Sequence, residues 1–522
     1  MNMDCKDSWI RAINLSLTVP SLKDNTGDAD RLIRGIKKEV QAEEVHLELS
    51  LIKKIPALLR KYEYRSRPVL YMDGGAWRII DLLPPEKEGG IYGVAVDLGT
   101  SNVVAQLIDL GNGKSLDEIS FINPQYDIGP DILTRIHYAS GEGGLEKLQT
   151  LLNSKIDNEI KRLAERHNIG PDSIVGMSAA GNTTMTHFFL GLDPFWICRE
   201  PYIPAVNRPG LVKASEIGIG INPDAPVLIF PGAGSYLGGD IMAGILASGM
   251  NQQEELCLLV DVGTNAEVVL GNADWLMACA GAAGPALEGG VAGMGMMAGP
   301  GVIDSVSIDP VSREFKIRTI GDMPPIGICG SGLIDLVAQL FLSGMIDMRG
   351  KFVRDRCGDR LREANGIMEL TLVSSRDSAS EKSLSLSQTD IDALLRSKAA
   401  MYTILKTITN MVNVSFEDIS NFYIAGTFGL YIDPGSAISI GMIPDLPLEK
   451  YKPLGNTSLE GARMALLSYK SRHEIHRIRD RITYIELNVN QDFMNRFSAA
   501  KFIPHTDRSL FPSVREWQQE RS

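Results

Sequence analysis

The amino-acid sequence predicts an α/β fold with an internal duplication. From about residue 90 to the end of the chain, short apolar runs typical of strands alternate with longer amphipathic runs typical of helices. Within this region a strand–turn–strand motif occurs twice, in GVAVDLGTSNVVAQLIDL (93–110) and LLVDVGTNAEVVLGN (258–272). The repeat indicates two related halves, each of domain size.

The segment before the alternating region divides into two parts. Residues 1–27 begin with an extended pattern and end in the turn-rich KDNTGD, which is typical of a linker. Residues 28–88 predict a small α/β domain, with two helical stretches followed by a hairpin that turns at Gly74 and Gly75. The stretch EKEGG (86–90) then leads into the alternating region.

Two local signals fall within the second half of the repeat. The Ser- and charge-rich run SSRDSASEKSLSLS (374–387) predicts a surface loop or a hairpin tip. The segment TDID (389–392) resembles a capping box and predicts the start of a helix. That helix is expected to continue through KAAMYTILKTITNMV.

Composition and charge exclude several classes of function. The chain carries 64 acidic against 52 basic residues, a formal net charge of −12, so we expect no nucleic-acid partner. The most membrane-like stretch, 281–303, is interrupted by Glu288 and by glycines and prolines, so we expect no membrane contact. The first residues show no basic region followed by an apolar run, and we expect a cytoplasmic protein.

The cysteines are isolated from one another in the sequence. No pair has the C-x-x-C spacing, and no run resembles the cysteine pattern of an iron–sulfur site. Isolated thiols within apolar or Gly-rich strings are usually core residues. The six are Cys5, Cys198, Cys257, Cys279, Cys329 and Cys357.

The repeated motif has the chemistry of a phosphate-binding hairpin. Each copy is an apolar strand that ends in Asp, followed by a Gly-Thr turn and a second β-rich run: Asp97, Gly99 and Thr100 in the first copy. Such a turn offers backbone N–H groups and a hydroxyl to phosphate oxygens, and its Asp can hold hydrated Mg²⁺. A single copy is equally well explained as favourable turn chemistry. Two matched copies favour the phosphate interpretation.

With two further segments, the repeat resembles the actin-like ATPase superfamily (ASKHA) of sugar kinases, acetate kinase and heat-shock chaperones. VGMSAAGNTTMTHFFLGLDP (175–194) resembles its first connecting segment. NFYIAGTFGLYIDPGSAISIGMIP (421–444) resembles its adenosine-binding turn and second connecting helix. The resemblance implies an ATPase domain over 89–522, made of two ribonuclease-H-like lobes (about 89–255 and 256–522) with ATP and Mg²⁺ between them.

A narrower resemblance, to the carboxy-terminal region of reductive activators of corrinoid proteins, is carried by a set of short motifs. These are GNTTMTH, PGAGSYLGGDI, DVGTNAE, AGPALEGG, GICGSGLID, IAGTFG and FIPHTDRSLFPSV. The family implies ATP-dependent reduction of an inactive Co(II) corrinoid protein to the Co(I) state. Its implied partners are a corrinoid protein and a low-potential electron donor. Symmetric dimers are common among such relatives, so we expect a homodimer.

The sequence departs from this family at its beginning. Typical members carry an amino-terminal ferredoxin-like domain whose four cysteines bind a 2Fe-2S cluster. This sequence begins at what resembles the linker, and Cys5 alone cannot form a cluster. We therefore expect no iron–sulfur cluster on this chain: either the sequence is a form that lacks the electron-carrying domain, or the electron comes from a separate protein, a low-potential donor.

Candidate site residues follow from the repeat and from the resemblance. Asp97 and Asp261 are predicted to hold Mg²⁺ through water. Glu267 either orients the attacking water or is a solvent-exposed strand residue, and Asn182 lies where many relatives place a catalytic acidic residue. The predicted nucleotide contacts are Gly99, Thr100, Ser101, Asn102, Gly263, Thr264, Asn265, Gly330, Ser331, Gly332, Gly426, Thr427, Phe428 and Gly429.

Two of the helix starts allow a functional and a structural interpretation. The Gly-Ser-Gly run that begins at Gly330 either faces an anion with its N–H groups or lets the following helix pack closely. The Gly-Gly-Asp run 238–240 precedes another helix, where Asp240 is readily explained as an N-cap. The sequence alone does not decide between these alternatives.

Three functions use an ATP-binding fold of this type. The first is the ATP-dependent activation of a corrinoid protein. The second is phosphorylation of a small molecule by a kinase with the same ATP site. The segments between the motifs argue against a kinase, because they show no dense set of charged residues that would bind such a substrate. The third is a non-enzymatic, ATP-switched scaffold, which differs from the first in that a corrinoid protein would not stimulate ATP turnover.

The sequence predicts slow intrinsic ATP hydrolysis. The segment from Ser173 to Leu192, which contains Asn182, has no Asp or Glu. The attacking water therefore lacks a strong base there. We expect the isolated chain to hydrolyse ATP well below the kinase range of about 1–100 per second in a phosphate-release assay. A rate within that range, with no corrinoid protein added, would contradict this prediction.

Overall fold

A computed structural model describes residues 7–85, 90–263, 266–281, 292–309, 311–486 and 491–514. The chain divides into two compact units. The first unit comprises Met1–Ala247 with Ser458–Asp480, and the second unit comprises Ser248–Thr457 with Arg481–Ser522. In the described ranges, no helix has the length and apolar character needed to cross a membrane.

The first unit begins with a small α/β layer whose sheet has the order β1-β4-β5-β3, with β2 beside β4. The predicted hairpin at Gly74 and Gly75 is confirmed, because β4 and β5 pair antiparallel and both glycines have positive φ angles of 58° and 85°. Strands from the predicted 1–27 segment thus pair with a strand from the predicted 28–88 segment. The elements are β1 (Ile10–Ala12), β2 (Leu15–Ser16), α1 (Asp28–Val40), β3 (Val45–His46), α2 (Leu49–Ile52), α3 (Ile55–Lys61), β4 (Arg65–Asp73) and β5 (Ala76–Leu83).

The main sheet of the first unit has six strands in the order β10-β11-β9-β6-β7-β8. Its central strands are continuous apolar runs, and β9 is buried at every position because side chains pack on both of its faces. The elements are β6 (Tyr92–Leu98), β7 (Asn102–Asp109), β8 (Ser115–Ile122), α4 (Ile132–Ala139), α5 (Gly144–Arg166), β9 (Ile174–Gly181), α6 (Thr183–Leu190), β10 (Gly210–Lys213), β11 (Pro226–Ile229) and α7 (Gly239–Ser248).

The second unit contains a main sheet in the order β22-β21-β12-β13-β14-β23 and two three-stranded sheets, β16-β15-β17 and β18-β19-β20. From residue 257 to the end of the described chain, the elements are β12 (Cys257–Val262), β13 (Ala266–Gly271), β14 (Leu276–Gly281), β15 (Val302–Ile308), β16 (Phe315–Thr319), β17 (Gly327–Ile328), α8 (Gly330–Leu342), α9 (Arg354–Cys357), β18 (Leu361–Ala364), β19 (Ile367–Val373), β20 (Leu384–Ser387), α10 (Gln388–Met411), β21 (Asn421–Ala425), α11 (Gly426–Tyr431), α12 (Pro434–Ser439), β22 (Tyr451–Gly455), α13 (Thr457–Leu467), α14 (Tyr469–Arg481), β23 (Ile482–Ile485) and α15 (Gln491–Ala500). Most of α13 and α14 belongs to the first unit.

The predicted duplication is confirmed by the strand order of the two main sheets. Five strands follow the same path in both, β8-β7-β6-β9-β11 in the first unit and β14-β13-β12-β21-β22 in the second. In each path the first three strands are antiparallel and the last three are parallel. The sixth strand differs, since β10 joins antiparallel to β11 whereas β23 joins parallel to β14. The two motifs therefore occupy equivalent places in related sheets.

The helix predicted after residue 389 is confirmed, but its start differs from the prediction. The capping box is formed by Ser387 and Asp390, whose side chains each accept from the other's backbone N–H. Thr389 already lies inside α10, two residues beyond the true cap. Residues 374–383 connect β19 to β20, which confirms the predicted hairpin tip, and the last residues of the Ser-rich run form β20.

A fully buried lysine connects α10 to the carboxy-terminal segment of the second unit. The Lys398 Nζ donates to the carbonyl oxygens of Phe502 at 2.6 Å and Pro504 at 2.7 Å. Its side chain has 0 % exposure, and burial lowers the pKa of Lys398 well below its usual value. The amine therefore satisfies the carbonyl group of the buried Pro504 and that of the half-buried Phe502.

We predict that Lys398→Met lowers the free energy of unfolding by about 1–3 kcal/mol, because two carbonyl groups lose their donor. Lys382→Met, at an exposed position in the β19–β20 connection, serves as the matched control and should change it by less than about 0.5 kcal/mol. Chemical denaturation followed by circular dichroism measures both values. Equal stabilities of the two variants would show that the Lys398 contacts contribute nothing.

Candidate functional site

The first hairpin, between β6 and β7, has a tight tip that requires glycine. Asp97 is the second-last residue of β6 and pairs with Ala180 of the parallel strand β9. At the tip, a Cβ atom on Gly99 would lie 2.1 Å from the carbonyl oxygen of Asn102. Any side chain here would displace the backbone, so Gly99 is needed for the shape of the turn.

A buried polar network lies behind this tip. The Asn123 Nδ2 donates to the carbonyl oxygen of Gly99 at 3.0 Å, and its backbone N–H donates to that of Ser101 at 2.8 Å. Asn123 also accepts from the backbone N–H of Gln125, whose Oε1 accepts from the fully buried Arg135 guanidinium at 3.3 Å. Burial lowers the pKa of Arg135 to about 10. The network holds the tip in place and puts a buried cation behind it.

The turn after β9 contacts the hairpin through Asn182. Its Oδ1 accepts from the backbone N–H of Met185 at 2.9 Å and so caps α6, while its Nδ2 donates to the Thr100 Oγ1 at 3.0 Å. Next in sequence, the Thr183 Oγ1 donates to the carbonyl oxygen of Gly234 at 2.8 Å. Both ends of the Asn182 amide are therefore used to position neighbouring groups, and the catalytic role predicted for it stays a prediction.

The structure adds the carboxylate of Asp240 to this site, a residue for which the sequence predicted only a helix cap. The turn before α7 approaches closely, since a Cβ on Gly238 would lie 2.4 Å from the Asn182 Cα. Asp240 follows in the first turn of α7, and its Oδ1 accepts from the backbone N–H of Ile241. Burial, with a further contribution from the negative charge of Asp97, raises the pKa of Asp240 to about 6. In the sequence, the Gly-Gly-Asp run 238–240 was the pattern that could have indicated this carboxylate.

His187, one turn into α6, has a structural role. Its Nδ1 lies 2.7 Å from the carbonyl oxygen of Thr183, and its Nε2 accepts from the backbone N–H of Ala205 at 3.0 Å. These contacts place the proton on Nδ1, because only a neutral ring donates there and accepts at Nε2. Burial lowers the pKa of His187, which stabilises that neutral form.

The second hairpin, between β12 and β13, brings two carboxylates to the same face of its sheet. Asp261 and Glu267 are direct cross-strand partners, and Val262 pairs with Ala266. Burial, together with the Glu267 charge, raises the pKa of Cys279 to about 12. Gly263 begins the turn, whereas the predicted contacts Thr264 and Asn265 lie outside the described residues.

The β21–α11 turn lies beside Asp261. Ala425, the last residue of β21, pairs with Asp261, and Gly426 follows with a φ of 83°. A Cβ on Gly426 would lie 3.0 Å from both the Asp261 Oδ1 and the carbonyl oxygen of Val262. Close approach and backbone conformation both require glycine at this position. The side chains of Thr427 and Phe428 lie outside the described residues.

The Gly330–Gly332 run opens α8 and is buried. A Cβ on Gly332 would lie 2.5 Å from the carbonyl oxygen of Ile303, so this glycine allows α8 to pack against β15. The Ser331 Oγ lies 3.1 Å from the Cys329 Sγ. The packing interpretation thus explains Gly332, while the nucleotide contact predicted for this run stays a prediction.

Each unit therefore presents a glycine-containing hairpin with an Asp at the end of its first strand. Backbone N–H groups at such turns bind anions, and Mg²⁺ is usually held by one or two carboxylates together with substrate phosphates. Within the described ranges, no cluster of three or more His, Cys, Asp or Glu side chains could bind a metal by itself. Asp97 with Asp240, and Asp261 with Glu267, suit a cation that a nucleotide helps to hold.

A duplicated α/β sheet with such a hairpin in each half defines a protein of the actin-like, ASKHA fold class. The family comparison is more specific. The models for the RACo linker region, the RACo middle region and the C-terminal ASKHA domain of RACo match residues 6–89, 92–253 and 255–515, respectively. The chain belongs to the RACo family.

Similar proteins are known by sequence and by structure. Over 430 residues the chain is 32% identical to the corrinoid activation enzyme RamQ of Eubacterium limosum, covering 80% of this chain and 72% of RamQ. Over 442 residues it is 24% identical to a [Co(II) methylated amine-specific corrinoid protein] reductase of Methanosarcina barkeri, covering 78% and 76%. A solved reductive activator for corrinoid,iron-sulfur protein is 40% identical with a TM-score of 0.90, covering 97% of this chain and 81% of that one.

Two substitutions separate the roles of the Asn182 amide. Asn182→Ala removes the α6 cap and the contact with Thr100, and we predict a loss of about 0.5–2 kcal/mol in the free energy of unfolding. Asn182→Asp keeps the capping oxygen but loses the donor to Thr100, so most of the stability should return. Urea denaturation measures both effects. Equal destabilisation by the two variants would show that the cap contributes little.

Proposed function

We propose that this protein is an ATP-dependent activator that supports the one-electron reduction of a corrinoid protein from Co(II) to Co(I). The observation that carries the proposal is its 40% identity, over 97% of the chain, to a structure described as a reductive activator for corrinoid,iron-sulfur protein. The names of RamQ and of the Methanosarcina reductase also refer to corrinoid proteins. The glycine-containing hairpin in each unit supports the ATP-dependent part of this proposal.

The turn of each hairpin is proposed to bind β- or γ-phosphate oxygens of the nucleotide. Gly99, Thr100, Ser101 and Asn102 act in the first unit, and Gly263, Thr264 and Asn265 act in the second. The Thr100 Oγ1 already accepts from Asn182, so its own proton is oriented away from that bond and suits a phosphate oxygen. Gly426, Thr427, Phe428 and Gly429 serve the adenosine, where the two glycines allow a close approach of the backbone to the nucleotide.

Asp97 and Asp261 are the proposed magnesium-side residues, acting through water, and Mg²⁺ supplies neutralisation of phosphate charge during transfer. We propose Asp240 as a second carboxylate of the magnesium site in the first unit. Asp240 is half-buried, and the charge of Asp97 contributes to its raised pKa, so the two carboxylates are within electrostatic reach of each other in the first unit. A bound cation relieves that repulsion, so the pair fits a magnesium site that forms with the nucleotide.

Each unit offers one carboxylate that could act on a water in its own half of the chain. Glu267 lies directly across from Asp261 in the second unit, and Asp240 follows Gly238, the glycine that approaches Asn182, in the first. A carboxylate within hydrogen-bond reach of the water orients it and accepts its proton. Asn182 acts as a positioning residue through Thr100.

Reduction of Co(II) to Co(I) is uphill for ordinary cellular donors, and ATP helps only through differential affinity for two states. We propose that the ATP-bound protein prefers one state of the corrinoid partner and that hydrolysis to ADP and phosphate resets the complex. The single electron comes from a separate low-potential donor. We further propose a homodimer that works in the cytoplasm, without nucleic-acid or membrane partners.

The test combines the chain with ATP–Mg²⁺, a Co(II) corrinoid protein and a reduced low-potential ferredoxin, and follows the Co(I) absorbance band with phosphate release. We expect ATP-dependent Co(I) formation and ATP hydrolysis that the corrinoid protein stimulates. Asp97→Asn and Asp261→Asn should each lower stimulated hydrolysis roughly 10- to 100-fold. The matched controls, the exposed Asp172→Asn and Asp309→Asn, should stay within about twofold.

The outcomes separate the alternative functions. Co(I) formation that does not depend on ATP, with no stimulated hydrolysis, would overturn the proposal. Phosphate transfer from ATP to a small metabolite would support the kinase instead. ATP binding without stimulated turnover would support the switched scaffold.

A further inference from the structure

The second unit contains a cavity of about 360 Å³ that none of the candidate site residues lines. Three parts of the chain form it: the turn after α8, the first half of α10, and the segment that follows α15. Its volume lies at the lower end of the range for small-molecule sites in proteins. The lining residues are Arg349, Asp392, Leu395, Arg396, Lys501 and Phe502.

Internal hydrogen bonds hold the three walls of this cavity in place. The Ile503 backbone N–H donates to the carbonyl oxygen of Met348 at 2.8 Å, which joins the carboxy-terminal segment to the turn. The Gln388 Nε2 donates to the carbonyl oxygen of Gly350 at 2.9 Å, which joins α10 to the same turn. The buried Lys398 amine joins α10 to Phe502. The cavity is therefore formed before any ligand arrives, so binding would cost little ordering of the chain.

The charge of the cavity is strongly positive. Its one acidic group, Asp392, is already satisfied by the Lys351 Nζ at 3.1 Å and by the Gln388 Nε2 at 3.0 Å. Arg349, Arg396 and Lys501 are exposed, and none of them forms an ion pair with a carboxylate in the described part of the chain. Three cations from three chain segments thus line the cavity against one carboxylate, Asp392, which already has two donors, on a protein whose net charge is −12.

The side chains of the cavity indicate the chemistry of its ligand. Two guanidinium groups offer planar pairs of donors that match phosphate oxygens, and the lysine adds a third charge. Leu395 and Phe502 add an apolar surface beside these cations. We propose that the cavity binds an organic phosphate, with the phosphate held by the three cations and its carbon skeleton against the apolar wall.

Phenyl phosphate is a suitable probe because it joins a phosphate to an aromatic ring, and it is titrated without ATP, which is itself an organic phosphate and would compete for the cavity. Isothermal titration should detect phenyl phosphate binding at one site per chain. Inorganic phosphate should bind more weakly, because it lacks the part that contacts Leu395 and Phe502. The double variant Arg349→Gln/Arg396→Gln should weaken phenyl phosphate binding roughly tenfold or more.

Arg376→Gln, an exposed arginine of the same unit that does not line the cavity, is the control for a change in net charge. It should keep the affinity within about twofold, whereas Lys501→Gln should weaken it. Circular dichroism checks that each variant is folded. The proposal is overturned if phenyl phosphate does not bind, if the control weakens binding as much as the double variant, or if the cavity variants change only the oligomeric state.

Discussion

The parallel pairing of each hairpin strand with the next sheet strand is the constraint on which the candidate site depends. In the first unit Asp97 pairs with Ala180, so the β9 strand ends one residue later and Asn182 begins the α6 turn beside the hairpin. In the second unit Asp261 pairs with Ala425 in the same way, and Gly426 follows beside it. Because parallel strands end at the same edge of a sheet, the turn after β9 lies beside Asp97 and the turn after β21 lies beside Asp261.

At these sheet edges, glycines allow neighbouring backbone segments to approach the hairpins closely. Glycine at positions 99 and 426 removes the Cβ atoms that would meet backbone or carboxylate oxygens, and Gly238 lets the α7 turn pack on Asn182. The same packing buries charge. Asp240 lies near Asp97 and is harder to ionise, while Arg135 is buried behind the first hairpin. Perturbed pKa values of this kind are typical of functional sites.

The second unit shows a different use of buried charge. Among the residues that the structure describes, Lys398 has no carboxylate partner, and it instead donates to two carbonyl groups of the carboxy-terminal segment. This fixes the segment against α10 and forms one wall of the cationic cavity. A single buried amine thus supports both the packing of the chain end and the shape of a surface site that lies apart from the hairpin residues.

The sequence by itself determined the α/β class, the duplication and both hairpins, because strand periodicity and the D-x-G-T turn are local properties that short segments encode. It also predicted α10 but placed its cap at Thr389, since the Thr-Asp-Ile-Asp and Ser-Gln-Thr-Asp patterns both resemble capping boxes and only the backbone decides between them. Tertiary structure alone decided that Glu267 faces Asp261, that Asp240 lies near Asp97, and that Arg349, Arg396 and Lys501 line one cavity. Register, burial and the meeting of distant segments depend on how the whole chain packs, and no local pattern carries that information.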